Sequence, residues 1–270
     1  MQYELFETML LHKDSIFLLR PHLQRLCKSA KTLGFDYSHL ESFLCKLPTQ
    51  HSFTPTLIQT LQLLGTLNIT NIPFAQHILN LESCMQKNIS YPHLWDNSNS
   101  ILSLLKESPC NNKNSLESNI NDFMLCRLIL SRNGMLSCTL QNLQPISNTT
   151  VKLIIADYEI TPLSYHKTTQ REHFDKAMQS ISKNECFDYL YMSADGKLME
   201  GSRSNILIAK NGKYYTPTSS IGLLSGTLRD MLIYYGICKE KILYKEDLYS
   251  ADSLYCLNSV RGIVPVILSV

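Results

Sequence analysis

The sequence predicts an α+β protein in two parts: a smaller mixed domain over residues 1–143 and a larger sheet-rich domain over residues 151–270, joined by a polar linker at 144–150. Three observations predict it. The chain opens with strand-like alternation followed by helical spacing of apolar residues. Beyond residue 150 the texture changes to short β runs separated by strong turn signals. A composition of 44% hydrophobic and 18% charged residues over 270 positions supplies enough apolar mass for a sizeable core.

The elements follow in order. Tyr3 to Leu10 alternates as a strand, and Ser15 to Leu19 is a short apolar run able to pair with it. From Pro21 the spacing turns helical: Leu23, Leu26, Ala30 and Leu33 share one face, Pro21 suits a first turn and Gly34 a C-terminal stop. Arg25 and Lys28 leave this helix on another face. Residues 48–122 hold helical fragments at 57–64, 74–81 and 101–106, separated by the polar runs 97–100 and 111–115; the second run has the composition of a mobile surface loop. Met124 to Ser131 predicts a strand that turns at Arg132-Asn133-Gly134 into another.

In the second half, strands are predicted at 151–156, 189–193, 205–209 and 254–257. Asp195-Gly196 and Asn211-Gly212 are the strongest hairpin signals in the chain. Helices fit at 170–183 and 227–235. Runs of strands with a few helices, not a strict βαβ alternation, place the chain in the α+β class.

Composition narrows the partners. A formal net charge of +2 with no Lys/Arg run gives no footprint for nucleic acid or a membrane surface. No apolar stretch approaches the ~18 residues of a membrane span. The acidic start Met1-Gln2-Tyr3-Glu4 lacks the character of an export signal. Nine scattered cysteines without a C-x-x-C pair read as reduced thiols in a cytoplasmic protein, and eight dispersed histidines suggest no metal.

Four segments carry possible chemistry. In His166-Lys167-Thr168-Thr169-Gln170-Arg171, Lys167 precedes a helical stretch; alone it reads as a solvated surface lysine, in a desolvated pocket as a covalent partner and proton carrier. In Met199-Glu200-Gly201-Ser202-Arg203-Ser204-Asn205, Glu200 is either part of an ordinary turn or a buried carboxylate holding a positive ring nitrogen. Ser225-Gly226 precedes the helix expected from Thr227, a place where first-turn amides can hold phosphate, although every N-cap looks somewhat like this. Asn258-Ser259-Val260-Arg261-Gly262 joins two strands, and alone is a turn with an exposed arginine.

Taken together, Phe6-Glu7-Thr8-Met9, LLRPHLQRLCKSAKTLGF, RLILSRNG, HKTTQR, EGSRSNILI, YTPTSSIGLLSGTLRDML and ADSLYCLNSVRGIVPV occur in an order that resembles the pyridoxal-phosphate-dependent class IV aminotransferase family, which includes branched-chain and D-amino-acid aminotransferases and aminodeoxychorismate lyase. The resemblance implies the two-domain, D-amino-acid-aminotransferase-like fold and pyridoxal 5'-phosphate as coenzyme. It implies that Lys167 holds the coenzyme covalently and shuttles the proton, that Glu200 pairs with the pyridine nitrogen, and that Arg25 meets the phosphate. Thr227 and Leu228 would give it backbone N–H groups, with Ser259 and Val260 on its other side. Arg203 and Arg261 are candidates for substrate carboxylates.

Within the family, the FET opening, the HKTT segment and NSVRGIVPV resemble the lyase branch, which converts 4-amino-4-deoxychorismate to 4-aminobenzoate and pyruvate and is fused to its synthase in some bacteria. The expectations are a small-molecule substrate, a homodimer and a functional link to an aminodeoxychorismate synthase. An aminotransferase for branched-chain or D-amino acids is the alternative, and a non-catalytic binding protein on the same scaffold a third. Two departures bear on the choice. Leu228 stands where many aminotransferases have a threonine hydroxyl, and Glu172 where branched-chain aminotransferases have a tyrosine near the coenzyme. The stretch from about Cys45 to Asp122 is longer than the corresponding part of most members.

Overall fold

The structure, a computed structural model, describes residues 3–12, 15–47, 95–97 and 123–269. The helical fragments expected at 57–64, 74–81 and 101–106, and the loop at 111–115, lie outside the described residues. The chain forms two compact units. Among the described residues, the first takes 3–12, 15–47, 95–97, 123–144 and 166–170, and the second takes 145–165 and 171–269.

The first unit is a five-stranded sheet of order β3-β2-β1-β4-β5. Its strands are β1 (Leu5–His12), β2 (Ser15–Phe17), β3 (Trp95–Asn97), β4 (Phe123–Leu130) and β5 (Leu136–Asn142). Every pairing is antiparallel. The first strand starts two residues later than the alternation suggests. Leu18, at a φ of 55°, then turns the chain so that helix α1 (Leu19–Leu33) begins ahead of Pro21. Gly34 closes α1 as expected, its N–H donating to Ala30 O. The expected apolar stripe does pack: Leu23, Leu26 and Ala30 are buried with Leu5, Met9 and Leu128 in one core, together with Leu40 and Phe43 of helix α2 (Ser38–Lys46). Each fully buried leucine there is worth roughly 1.5–3 kcal/mol.

The second unit is an eight-stranded mixed sheet of order β11-β10-β9-β12-β13-β6-β7-β8. Its strands are β6 (Thr150–Ile155), β7 (Asp188–Met192), β8 (Leu198–Gly201), β9 (Asn205–Lys210), β10 (Lys213–Pro217), β11 (Lys239–Lys241), β12 (Ser253–Asn258) and β13 (Gly262–Leu268). Both predicted hairpins form. Asn211 and Gly212 take φ of 52° and 70°, the paired left-handed residues that a two-residue hairpin matching strand twist requires. Helices α3 (Asp175–Ser182), α4 (Thr227–Tyr234) and α5 (Lys245–Tyr249) complete the unit.

Strands β6 and β7 are parallel, so a long crossover must join them. That crossover gives His166–Gln170 to the first unit. It also explains why the helix expected from Gln170 begins only at Asp175: residues 167–169 are drawn out against β1, and a 3₁₀ turn at Glu172–Phe174 intervenes.

Candidate active site

Lys167 and Arg25 belong to the first unit. Residues 167–169 extend β1 by antiparallel pairing: Leu5 faces Thr168, Phe6 N–H donates to Lys167 O at 3.0 Å, and Thr169 N–H donates to Glu4 O at 2.9 Å. Alternation along β1 then sorts the side chains. Thr168 turns inward and is buried, whereas Lys167 shares the face of Phe6, its Nζ 4.7 Å from the ring centroid. Arg127, opposite Thr8 on β4, lies on the same ring, with its Cζ 4.2 Å from the centroid. Two cations against one aromatic ring form a cation–π arrangement. Arg127 is half-buried, and burial holds its pKa below the usual arginine value. No motif marked Arg127 or Phe6 for this pairing; only the register of β1 with β4 and with residue 167 brings them together.

The opposite face of β1 carries Glu7, which is 1% exposed. Arg25, one turn along α1 from His22, donates from Nε to Glu7 Oε1 at 2.9 Å and from Nη2 to Oε2 at 2.5 Å. The Nδ1 of His22 lies 2.7 Å from the same Oε2. Burial alone would raise the Glu7 carboxyl, but the charges of Arg25 and His22 and their hydrogen bonds outweigh it and hold the pKa at about 2. Burial pushes the His22 pKa down, against the pull of Glu7.

The Glu7 pKa carries a stability consequence. A carboxyl depressed in the folded state stabilises the fold above its unfolded pKa, and that contribution is lost as pH falls through the folded value. Glu7 therefore steepens the acid limb of unfolding between pH of about 4.5 and about 2. In Glu7→Gln the melting temperature measured across this window should fall less steeply than in the wild type. Parallel curves would contradict the assignment.

Glu200, Thr227, Leu228, Ser259, Val260, Arg203 and Arg261 belong to the second unit, where three loops meet at one end of the sheet. Glu200, the penultimate residue of β8, is 6% exposed, and its Oε1 accepts the Leu224 N–H at 3.0 Å. Asn205, at the start of β9, donates from Nδ2 to Leu224 O at 2.9 Å. Its Oδ1 lies so close to Gly226 that a Cβ there would come within 2.0 Å of it, so the chain can enter α4 only through glycine. Asn258, at the end of β12, reaches Arg203 O at 3.4 Å. Glu200 is thus tied to the loop that starts α4, and residues 258–261 to the loop that follows Glu200.

No motif marked the residue that holds the 201–204 loop. Asp188, the first residue of β7, is fully buried. It accepts the N–H groups of Tyr189, Ser202 and Arg203 at 2.8, 3.0 and 3.3 Å, and also the hydroxyls of Ser202 and Ser204. Burial raises its pKa, and the two serine hydroxyls oppose the rise. Arg229 does similar work before α4: it is 1% exposed and donates to Ser225 Oγ and Pro217 O, each at 2.9 Å, and to Glu240.

The remaining expected residues are placed as follows. Thr227 and Leu228 open α4, and the first i-to-i−4 bond of that helix is Asp230 N–H to Gly226 O. The amides of the preceding turn have no acceptor within the helix. The Leu228 side chain is completely buried, so only its backbone can serve a ligand. Asn258 Oδ1 accepts the Val260 and Arg261 N–H groups at 3.0 and 2.7 Å, which builds the turn but commits the Val260 amide expected to face phosphate. The Arg203 guanidinium sits 4.6 Å over the Phe187 ring and donates to Phe187 O at 2.6 Å. Burial and the charge of Arg203 push the Arg261 pKa down to about 10.

The family model of the class IV aminotransferases matches residues 68–268. This chain belongs to the class IV aminotransferase family. Class IV aminotransferases are pyridoxal-phosphate-dependent. The chain is 31% identical over 117 residues to the aminodeoxychorismate lyase of Saccharomyces cerevisiae, covering 36% of this chain and 31% of that protein. It is 30% identical over 87 residues to a protein of Thermotoga maritima named a probable branched-chain-amino-acid aminotransferase, covering 30% of this chain and 32% of that protein. The matches thus span about a third of the length of each of these relatives. The branched-chain aminotransferase structure of Thermoproteus uzoniensis superposes with a TM-score of 0.60 at 17% identity, covering 99% of this chain and 78% of that one; at this distance the likeness is one of fold.

Each unit holds residues of the chemistry that this coenzyme calls for. The buried carboxylate of Glu200, which accepts the Leu224 N–H, carries a negative charge that a protonated pyridine nitrogen would match. The start of α4 offers oriented amides and the positive end of a helix dipole to a phosphate. In the first unit, Arg25 and Lys167 supply a guanidinium and a primary amine.

Proposed function

We propose that this class IV protein is an aminodeoxychorismate lyase, converting 4-amino-4-deoxychorismate to 4-aminobenzoate and pyruvate. The observation that carries this reading is the arginine pair of the second unit. Arg261 is set by the Asn258 turn, and its charge is disfavoured by burial and by Arg203. The Nε of Arg203 is buried without a hydrogen-bond partner. Such a cationic pair is relieved by an anion-rich ligand. The lyase substrate carries two carboxylates, and a branched-chain amino acid only one. Arg127, beside Lys167 on Phe6, is a third cation of suitable chemistry.

Pyridoxal phosphate, when bound, supplies the electron sink for the carbon acid. Glu200 would keep the proton on the ring nitrogen. Arg25, the amides of Thr227 and Leu228, and Ser259 with Val260 would hold the phosphate, and the Val260 contribution depends on release of its amide from Asn258. The Lys167 amine removes the proton from the amine-bearing carbon of the substrate; the neighbouring ring C–O bond breaks, the ring becomes aromatic, and the departing enolpyruvate takes up a proton to become pyruvate. We further propose a cytoplasmic homodimer that receives its substrate from an aminodeoxychorismate synthase.

A second reading, an aminotransferase, is favoured by the Thermotoga relative. One experiment separates the two. Purified protein loaded with coenzyme and given 4-amino-4-deoxychorismate should release pyruvate and 4-aminobenzoate in equal amounts. No pyruvate, together with bleaching of the coenzyme band by branched-chain or D-amino acids, would replace the lyase with the aminotransferase.

A further inference from the structure

We propose that Glu7 is a positioning residue that aims Arg25 at the coenzyme phosphate, so that a carboxylate touching neither coenzyme nor substrate sets the enzyme's preference for a phosphorylated coenzyme. This rests on the reading of Arg25 as the phosphate arginine.

Glu7 occupies the face of β1 that otherwise buries Leu5, Met9 and Leu11 against α1. A charge in such a place costs several kcal/mol unless it is paired and hydrogen-bonded. Here it is paired twice, by Arg25 through two nitrogens and by His22 through one. An arginine side chain is long and flexible, and a single contact leaves its head free to swing. Gripping Nε and Nη2 together fixes the plane of the guanidinium and therefore the direction of its remaining N–H groups. His22, one turn before Arg25 on the same helix, holds Glu7 Oε2 from the other side and fixes the carboxylate in turn.

The same strand also sets Lys167. Phe6 pairs with Lys167 through the backbone and lies under its Nζ, while the next residue grips Arg25 from the opposite face. Two adjacent residues of β1 thereby register the coenzyme-linking amine and the phosphate arginine of the first unit against one rigid element, which is where a site gains its precision.

A purely structural ion pair would have the same geometry, and the test has to separate the two roles. The apoenzyme is titrated with pyridoxal phosphate and with pyridoxal, which lacks the phosphate, and the ratio of the two dissociation constants is the readout. Arg25→Ala and Glu7→Gln should each lower the preference for the phosphorylated form tenfold or more, leaving pyridoxal affinity within about twofold. The double variant should be no worse than the worse single one, because both act through one contact. A purely electrostatic influence of Glu7 predicts the opposite sign, since removing a negative charge would tighten phosphate binding. If Arg25→Ala leaves the ratio unchanged, the phosphate reading of Arg25 fails. If Arg25→Ala lowers it and Glu7→Gln keeps the wild-type value, raises it, or weakens both ligands equally, the Glu7 proposal is overturned while that reading stands. Should Glu7→Gln not fold, Glu7→Asp keeps the charge but retracts it, and a wild-type ratio in that variant overturns the proposal as well.

Discussion

Lys167→Ala should lower turnover by about three to four orders of magnitude and abolish covalent capture of the coenzyme, the scale expected when a nucleophile and general base are lost together. Pairing of residues 167–169 with β1 makes this a clean substitution. The backbone bonds to Phe6 and Glu4 do not depend on the lysine side chain, so the segment should stay in place. Borohydride reduction followed by peptide mass mapping reads the result: wild-type protein gains the coenzyme mass on the peptide containing Lys167, and the variant gains none. Turnover within tenfold of wild type, or an adduct on another lysine, would remove Lys167 from the reaction and with it both enzymatic readings. Phe6 offers no substitute amine, and Arg127 cannot lose its proton near neutral pH.

The second large effect is at Glu200. Glu200→Gln should reduce kcat by about 10²–10³-fold, the usual consequence of removing one preorganised electrostatic partner from a buried site. Glutamine keeps an acceptor for the Leu224 N–H, so the loop that starts α4 should retain its anchor while the charge disappears. Glu200→Ala removes both and should also weaken coenzyme binding through that loop. The comparison of kcat with coenzyme dissociation constant in the two variants separates the roles. A glutamine variant with more than half the wild-type kcat would show that the carboxylate only holds the loop.

The lyase reading differs in kind from these two predictions. In the roles proposed for them, Lys167 and Glu200 would serve any reaction of the family, because the proton removed is the same whether pyruvate then leaves or the coenzyme carbon is reprotonated. Discrimination has to come from groups that meet the substrate, and the arginines are the residues we propose for that contact. Arg203 is largely engaged by Phe187, so Arg261 and Arg127 carry more of the expected substrate contact than Arg203 does.

Much of the local structure could be read from the residues in isolation. The Asn211-Gly212 and Asp195-Gly196 turns, the Gly34 stop and the apolar stripe of α1 all depend on a few neighbouring positions, whose backbone preferences and side-chain period act within a turn or two. The order of the seven family motifs is likewise a property of the chain alone, and it pointed to Lys167, Arg25, Glu200 and the start of α4.

Tertiary structure decided what holds those residues. Glu7 lies 18 positions from Arg25, Asp188 lies 14 from Ser202, and Phe6 meets Lys167 across more than half the chain. The partners in each case lie on different elements, so the local period of neither element could announce these contacts. They exist because sheet pairing fixes which faces coincide, and because a carboxylate forced into an apolar interior must collect every donor within reach. The segment at 166–170 makes the same point for the backbone: its sequence suits the approach to a helix, and an isolated bridge to β1 at Thr168 holds it extended instead.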